Sequence, residues 1–410
     1  MKVRHLLLFV SLLIVFRASA FAADPPPRDA AEWKLGTPIV TYFAGPPMTE
    51  HVARQMADGG FNVVWCAEKD LDLVHKHGLR GTLHDRLLSP ASLDAPAQKQ
   101  QLDALIDRVK KHPAFYSYYI TDEPGASEFP ALGKLTGHLR QRDPAHMAYI
   151  NLFPTYATNQ QLGTKGDLCP AYRQYLKLFI DAAKPMLLSY DHYQFSQAAD
   201  GTQYFVNLDL IRRAAQDAGV PFLNIVQACS WQPGVRVPVP DEMRYLVYTT
   251  AAYGAQGISY YVYSHPGHVG AMALPDGTPT PLYHAVKPLN REFVAIVAEL
   301  QPFRSIAVYH TAITELGCEF PPANAVFRLD PPSSKLTERG LLLGNFGKDD
   351  KASHVVVVNL DYKNQVLATI TAPAVIEEFD ASTREWSSLK AQRAELHLPP
   401  GGGKLLRLHP

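Results

Sequence analysis

Tyr118-Tyr119-Ile120-Thr121-Asp122-Glu123-Pro124 opens as a β-strand and closes on two adjacent acids. Aromatic and β-branched residues favour extended backbone. Pro124 stops the strand, because it has no N–H to donate and fixes its own φ. Paired carboxylates at the tip of a buried strand are costly unless something pairs or uses them. One reading makes them the cap of the helix that follows. The other makes them a general acid and its helper on the rim of a barrel.

Working outward from that stretch, strand and helix signals alternate. Strands are expected over Pro38–Phe43, Phe61–Ala67, Leu79–His84, Phe115–Thr121, Ala148–Phe153, Met186–Tyr193, Phe222–Cys229 and Ile258–Tyr263. Helical patterns separate them, one of them over Phe129–Arg142. The clearest lies after strand three, where Leu102, Leu105, Ile106 and Val109 recur at helical spacing. Gly59-Gly60 and Gly78 close the first two helices. Eight strand–helix units over 37–303 predict a (β/α)8 TIM barrel. No Gly-rich phosphate loop follows the first strand, which argues against a doubly wound sheet. Over 304–410 the helices stop and short alternating segments take over, among them Ala325–Leu329, Gly340–Asn345, His354–Leu360 and Val366–Thr371. They predict a small antiparallel β-sandwich.

The first 22 residues read as a signal peptide. Lys2 and Arg4 precede the apolar run Leu6–Phe16, and small residues follow at Ala18-Ser19-Ala20. A Pro-rich linker is expected over 23–36. The mature chain is therefore expected to be exported, periplasmic or extracellular, and free of the membrane after cleavage. Lys plus Arg number 39 and Asp plus Glu 39, with no basic run, so nucleic acid is an unsuited partner. The four cysteines lack C-x-x-C spacing and read as free thiols.

In such barrels the chemistry lies at the C-terminal ends of the strands. Those ends carry Tyr42, Trp65 with Glu68, His84 with Asp85, Asp122 with Glu123, and Asn151. Further round come Tyr190, Asp191, His192 and Tyr193, then Gln227, Ser230 and Trp231, then Tyr263, Ser264 and His265. Flat rings stack on sugar faces, and carboxylates and amides grip hydroxyls. Lys and Arg are nearly absent, which suits a carbohydrate better than a phosphate. Asp122, Glu123 and Asp191 are the catalytic candidates. Tyr42, Trp65, Asp85, Tyr190, His192, Tyr193, Gln227, Trp231, Tyr263 and His265 are the substrate-binding candidates. Tyr116, Tyr118 and Tyr260 read as barrel packing.

A barrel followed by a β-sandwich, a leader peptide and an acid at the end of strand four together resemble the bacterial (β/α)8 glycoside hydrolases, broadly clan A and its relatives. The resemblance implies hydrolysis of O-glycosidic bonds in an oligo- or polysaccharide, with no cofactor. Clan A sets an Asn before the strand-four acid, where this chain has Asp122, and a nucleophilic Glu on strand seven, where this chain has none. Three routes stay open. Glu123 protonates while Asp191 activates a water across a gap, giving inversion. Asp191 is the acid/base and Asp122 or Glu123 the nucleophile, as in α-galactosidase-type barrels. Or Asp122 orients a substrate acetamide and Glu123 is the acid, as in N-acetylhexosaminidases, with Tyr190 or Tyr193 holding the acetamide.

Two other classes compete. His84, Asp85, Glu123, Asp191, His192 and His265 could ring a divalent metal, as in sugar isomerases and epimerases. No H-E-x-x-H is present, however, and no metal is expected. The missing strand-seven Glu also admits a non-catalytic carbohydrate-binding barrel.

Overall fold

The computed structural model describes residues 38–331, 336–348 and 350–409. The expected leader and linker lie outside them. Eight parallel strands form one sheet: β1 (Ile39–Phe43), β2 (Val63–Cys66), β3 (Arg80–Leu83), β4 (Phe115–Asp122), β5 (Met147–Leu152), β6 (Leu188–His192), β7 (Phe222–Gln227) and β8 (Gly257–Tyr261). Each pairs with the next from β2 onward, and β1 pairs with β8 from Ile39–Gly257 to Phe43–Tyr261. Asn62 joins the remaining seam. Its backbone N–H donates to Val40 O at 3.0 Å, and its side chain accepts from Val40 N at 2.8 Å and donates to Pro38 O at 2.8 Å. The ring thus has no long free edge.

Helices α1 (Glu50–Asp58), α2 (Leu71–Lys76), α3 (Pro96–Val109), α4 (Phe129–Arg142), α5 (Leu168–Ala183), α6 (Tyr204–Ala218), α7 (Pro240–Ala252) and α8 (Pro281–Leu300) surround the sheet. Thr49 and Thr280 cap α1 and α8 with their hydroxyls. Gly60, rather than Gly59, takes the left-handed conformation after α1, with φ at 80°. Among the described residues no helix is long and apolar enough to cross a membrane.

Side chains alternate across each strand. Ile39 and Phe43, Val63, Tyr149, and Leu223 with Ile225 meet inside the ring as one cluster. Val40, Tyr42, Tyr118, Tyr190 and Tyr260 face the other way and pack under the helices. This alternation decides which rim residues reach the cleft.

A six-stranded antiparallel sheet begins at Arg304–His310 and faces a three-stranded sheet. Leu341, Leu343, Val355 and Val357 fill the space between the two sheets. Leu342, Val356 and Val358 turn to the barrel. Gly344 permits that contact, since a Cβ there would lie 2.0 Å from Ala252 O at the end of α7. The sequence analysis names no strand over Arg304–His310, which is separated from α8 by only three residues, or over Glu385–Ser388, a polar edge strand. The strand expected over Ala325–Leu329 shrinks to Arg328–Leu329.

Candidate active site

The end of β4 departs from regular geometry twice. Tyr119 pairs with Tyr149 of β5, but Thr121 pairs with Ile150 and Asp122 with Asn151, so one extra residue is inserted between Tyr119 and Thr121. Strict alternation from Tyr119 would turn Asp122 outward. The bulge returns it to the inner face beside Asn151. Glu123 then adopts φ at 45°, a left-handed conformation disfavoured for a residue with a Cβ. That turn brings the next carboxyl to the same cleft. Such a residue costs on the order of 1 kcal/mol or more and needs its surroundings to hold it. Glu123 N–H donates to Asn151 O at 2.9 Å, and Tyr175 OH donates to Pro124 O at 2.9 Å. The helix-capping role falls to Glu128, which accepts from Gly125 N at 2.9 Å. Asp122 and Glu123 are therefore not needed as caps.

Asn151 organises the acids. Its Nδ2 donates to Asp122 Oδ1 at 2.9 Å and to Asp191 Oδ1 at 2.8 Å. Its Oδ1 accepts from Ser189 Oγ at 3.1 Å, which leaves Tyr149 OH to donate to Ser189 at 2.9 Å. Burial, and then the charge of Asp122, push the Glu123 carboxyl up to about 7, against a hydrogen bond from Asp191 that lowers it. Asp191 is buried, and burial followed by the Glu123 charge holds its carboxyl well above the usual range. A hydrogen bond between them lowers Glu123 and raises Asp191, so the two carboxyls titrate as a pair. Asp122 opens to solvent at the cleft. Even so, the cleft walls displace enough water to raise its carboxyl, while Asn151 opposes the rise. No cation is among the causes of these three shifts.

Aromatic rings line the cleft. On the β1–β4 side Trp65 lies 4.6 Å from Tyr119 and 4.9 Å from Phe43, and its ring stacks on His84. On the β6–β8 side Tyr193 lies 4.9 Å from Trp231 and 5.0 Å from Tyr261. Tyr156, 45% exposed, covers His192 at the mouth. The charges of Asp191 and Glu123 help to raise the Tyr156 hydroxyl, and those of Asp122, Asp191 and Glu123 help to raise Tyr261. Tyr261 packs with the inward-facing residues of the ring, beside Phe43 and Tyr193.

No family model matches this sequence, and no curated protein matches it. Solved structures do. A family 5 glycoside hydrolase from Bacteroides vulgatus superposes with a TM-score of 0.53 at 11% identity, over 90% of this chain and 89% of that one. A GH27 β-L-arabinopyranosidase from Geobacillus stearothermophilus gives 0.50 at 9% identity, over 92% and 97%. For a β-galactosidase from the psychrophilic Marinomonas ef1 the match spans 65% of this chain but only 60% of its own length, at a TM-score of 0.45 and 12% identity. The fold is that of the (β/α)8 glycoside hydrolases. Both barrel and sandwich take part in the first two matches, and at these identities the likeness is one of fold.

Within this glycoside-hydrolase fold, Asp122, Glu123, Asp191, Trp65, Tyr193 and Trp231 come together at the cleft. Several other candidates do not. Tyr42 is 1% exposed, packs 5.1 Å from Tyr263 and accepts from Trp65 N. Tyr263 is equally buried, and its hydroxyl donates to Gln55. Tyr190 lies on the outer face of β6, so it cannot hold an acetamide in the cleft. His192, next but one to Tyr190, faces Asn207 at 2.9 Å, and burial lowers its imidazole to about 4. Gln227 uses its whole amide on the loops above it, accepting from Phe195 N and donating to the Phe195 and Arg236 carbonyls. Asp85 accepts from Leu87 N in its own turn. His265 is exposed and pairs with His268 at 3.0 Å.

The alternative metal ring is not assembled. His192 points away from the acids and His265 is tied to His268. Among the described residues no group of three or more His, Cys, Asp or Glu is arranged to hold an ion. Asn151, Tyr119, Tyr156 and Tyr261 belong to the site without having been singled out for a role. Alternation was the available signal: Asn151 shares a face with Tyr149, and Tyr261 shares one with Ser259, whereas Tyr263 follows the end of β8.

Proposed function

We propose that this chain is an exported glycoside hydrolase that cleaves an O-glycosidic bond in a neutral or acetamido sugar, with Glu123 as the proton donor. One observation carries the reading: a carboxyl pushed up to about 7 by burial and by a neighbouring acid, on a cation-free rim walled with aromatic rings. A general acid needs a proton near neutral pH, and that environment supplies one. The fold shared with solved glycoside hydrolases supports the same class.

The contact between Glu123 and Asp191 revises the route. Inversion needs a gap of roughly 6.5–9.5 Å between the carboxyls so that water can enter. Here the two are close enough to shift each other's proton affinity, so Asp191 is better cast as the buried partner that titrates with Glu123 than as a base holding a water across a gap. Asp122 is the anion open to the cleft. Asn151 bridges it to Asp191 through one amide nitrogen, at 2.9 and 2.8 Å. Asp122 therefore meets the sugar, either at the reacting carbon or at a 2-acetamido group.

The test is a panel of nitrophenyl glycosides, including 2-acetamido sugars. Wild type should cleave at least one. Asp122→Asn should abolish turnover on it, and added azide should restore turnover only if Asp122 is the nucleophile. A wild-type enzyme inert on the whole panel, with no sugar raising its Tm, would overturn the reading.

A further inference from the structure

We infer that Tyr362, which lies in the sandwich rather than in the barrel, is a positioning residue for the Tyr193–Trp231 wall of the cleft. What that wall binds rests on the glycosidase reading; the mechanical coupling does not.

The loop after β6 and the loop after β7 are clamped into one body. Gln197 N–H donates to Gly234 O at 2.8 Å, and Gln227 holds both Phe195 and Arg236. The Arg236 guanidinium lies 4.7 Å over the Phe195 ring and forks onto Glu242 with two bonds of 2.6 Å. It also reaches Asp200 at 3.2 Å. Tyr193 and Trp231 project from the two ends of this body toward Tyr261.

The body is anchored from outside the barrel. The Tyr362 hydroxyl donates to Asp200, and its ring meets Phe195 edge-on at 5.9 Å and Tyr245 at 5.4 Å. Tyr362 itself stands on a stiff turn, where Asp361 accepts from Lys363 N at 2.8 Å and Asn364 N at 3.0 Å. Arg339 covers the other side of its ring at 5.6 Å. A hydrogen bond to a carboxylate is among the stronger ones. A single hydroxyl thus links a rigid turn of one domain to the loops that carry the aromatic wall of the other.

Tyr362→Phe removes that hydroxyl and keeps the ring packing, so the fold survives. Hydrogen exchange of segments 193–201 and 229–237 should quicken roughly tenfold, while the barrel strands hold their rates. On the glycoside cleaved best, KM should rise about three- to tenfold with kcat within about twofold, since the acids are untouched. The pH profile should stay where it is. Unchanged exchange in both segments overturns the inference. Faster exchange with unchanged KM also overturns it, leaving Tyr362 a domain fastener only. If no glycoside is turned over, the glycosidase reading has failed, and the exchange comparison alone decides the coupling.

Discussion

The ends of β4 and β7 look alike in sequence, since each strand starts on a Phe and closes on a polar residue. They are used in opposite ways. At β7, Gln227 is buried with every amide atom bonded to neighbouring backbone, so nothing is left for a ligand. At β4, a bulge and a left-handed residue hold two carboxyls at the cleft with no cation to ease them. A satisfied polar group stabilises; a strained, unsatisfied one is available for chemistry. A polar residue at a strand end therefore becomes a site residue only when its hydrogen-bonding capacity is left over.

The largest effect should separate these two ends. Glu123→Gln should lower kcat by about 10²- to 10⁴-fold on substrates with poor leaving groups, with the fold intact by circular dichroism. Gln227→Ala should do the reverse. It strands three backbone groups of the loops, so stability should fall by about 1–3 kcal/mol in urea unfolding. Loss of stability without loss of turnover at Glu123 would break the comparison.

Asn151 sharpens it. Its amide is the neutral donor that offsets the Asp122 and Asp191 charges. In Asn151→Ala both carboxyls lose that bond and rise further. Activity needs Asp122 ionised, so the acid limb of the pH–rate profile should move to higher pH, with roughly tenfold less turnover at pH 5. The alkaline limb, where Glu123 loses its proton near pH 7, should remain. A profile shifted only downward in height would reduce Asn151 to packing.

Stability should carry the same signature. Glu123 holds its proton more tightly folded than unfolded, so between pH 4.5 and about 7 the native state binds more protons. Stability contributed by this group then falls as pH rises through that window. Glu123→Gln removes the penalty. Its Tm should exceed that of wild type at pH 8, by an amount worth about 1–3 kcal/mol, and match it near pH 4. Equal Tm at both pH values would mean that the folded-state carboxyl is not raised.

The fold was legible because its signals are repetitive. Eight strand–helix alternations survive errors of two residues at each boundary, and Phe129–Arg142 and Val366–Thr371 match residue for residue. The three acids stood out too, because acids at strand ends are rare and costly. The aromatic partners were harder. Choosing Tyr42, Tyr190 and Tyr263 took position along the strand as the guide, whereas the face of the strand decides. The bulge at β4 and the φ of Glu123 were beyond reach, since both depend on pairing with β5. The pairing of Glu123 with Asp191 is set by strands distant in sequence.

The smallest effect tests that distinction of faces most cleanly. Tyr190 and Asp191 are neighbours, yet one packs under the helices and the other meets the acids. The Tyr190 hydroxyl is buried with no hydrogen-bond partner among the described residues. Burying an unsatisfied hydroxyl costs free energy, so Tyr190→Phe should leave stability unchanged or raise it by up to about 1 kcal/mol. Kinetic constants should stay within twofold, because the side chain never reaches the cleft. Tyr261→Phe, on the inner face, should instead raise KM several-fold at unchanged Tm. If Tyr190→Phe lost activity while Tyr261→Phe did not, the assignment of faces on β6 and β8 would be reversed, and the aromatic wall with it.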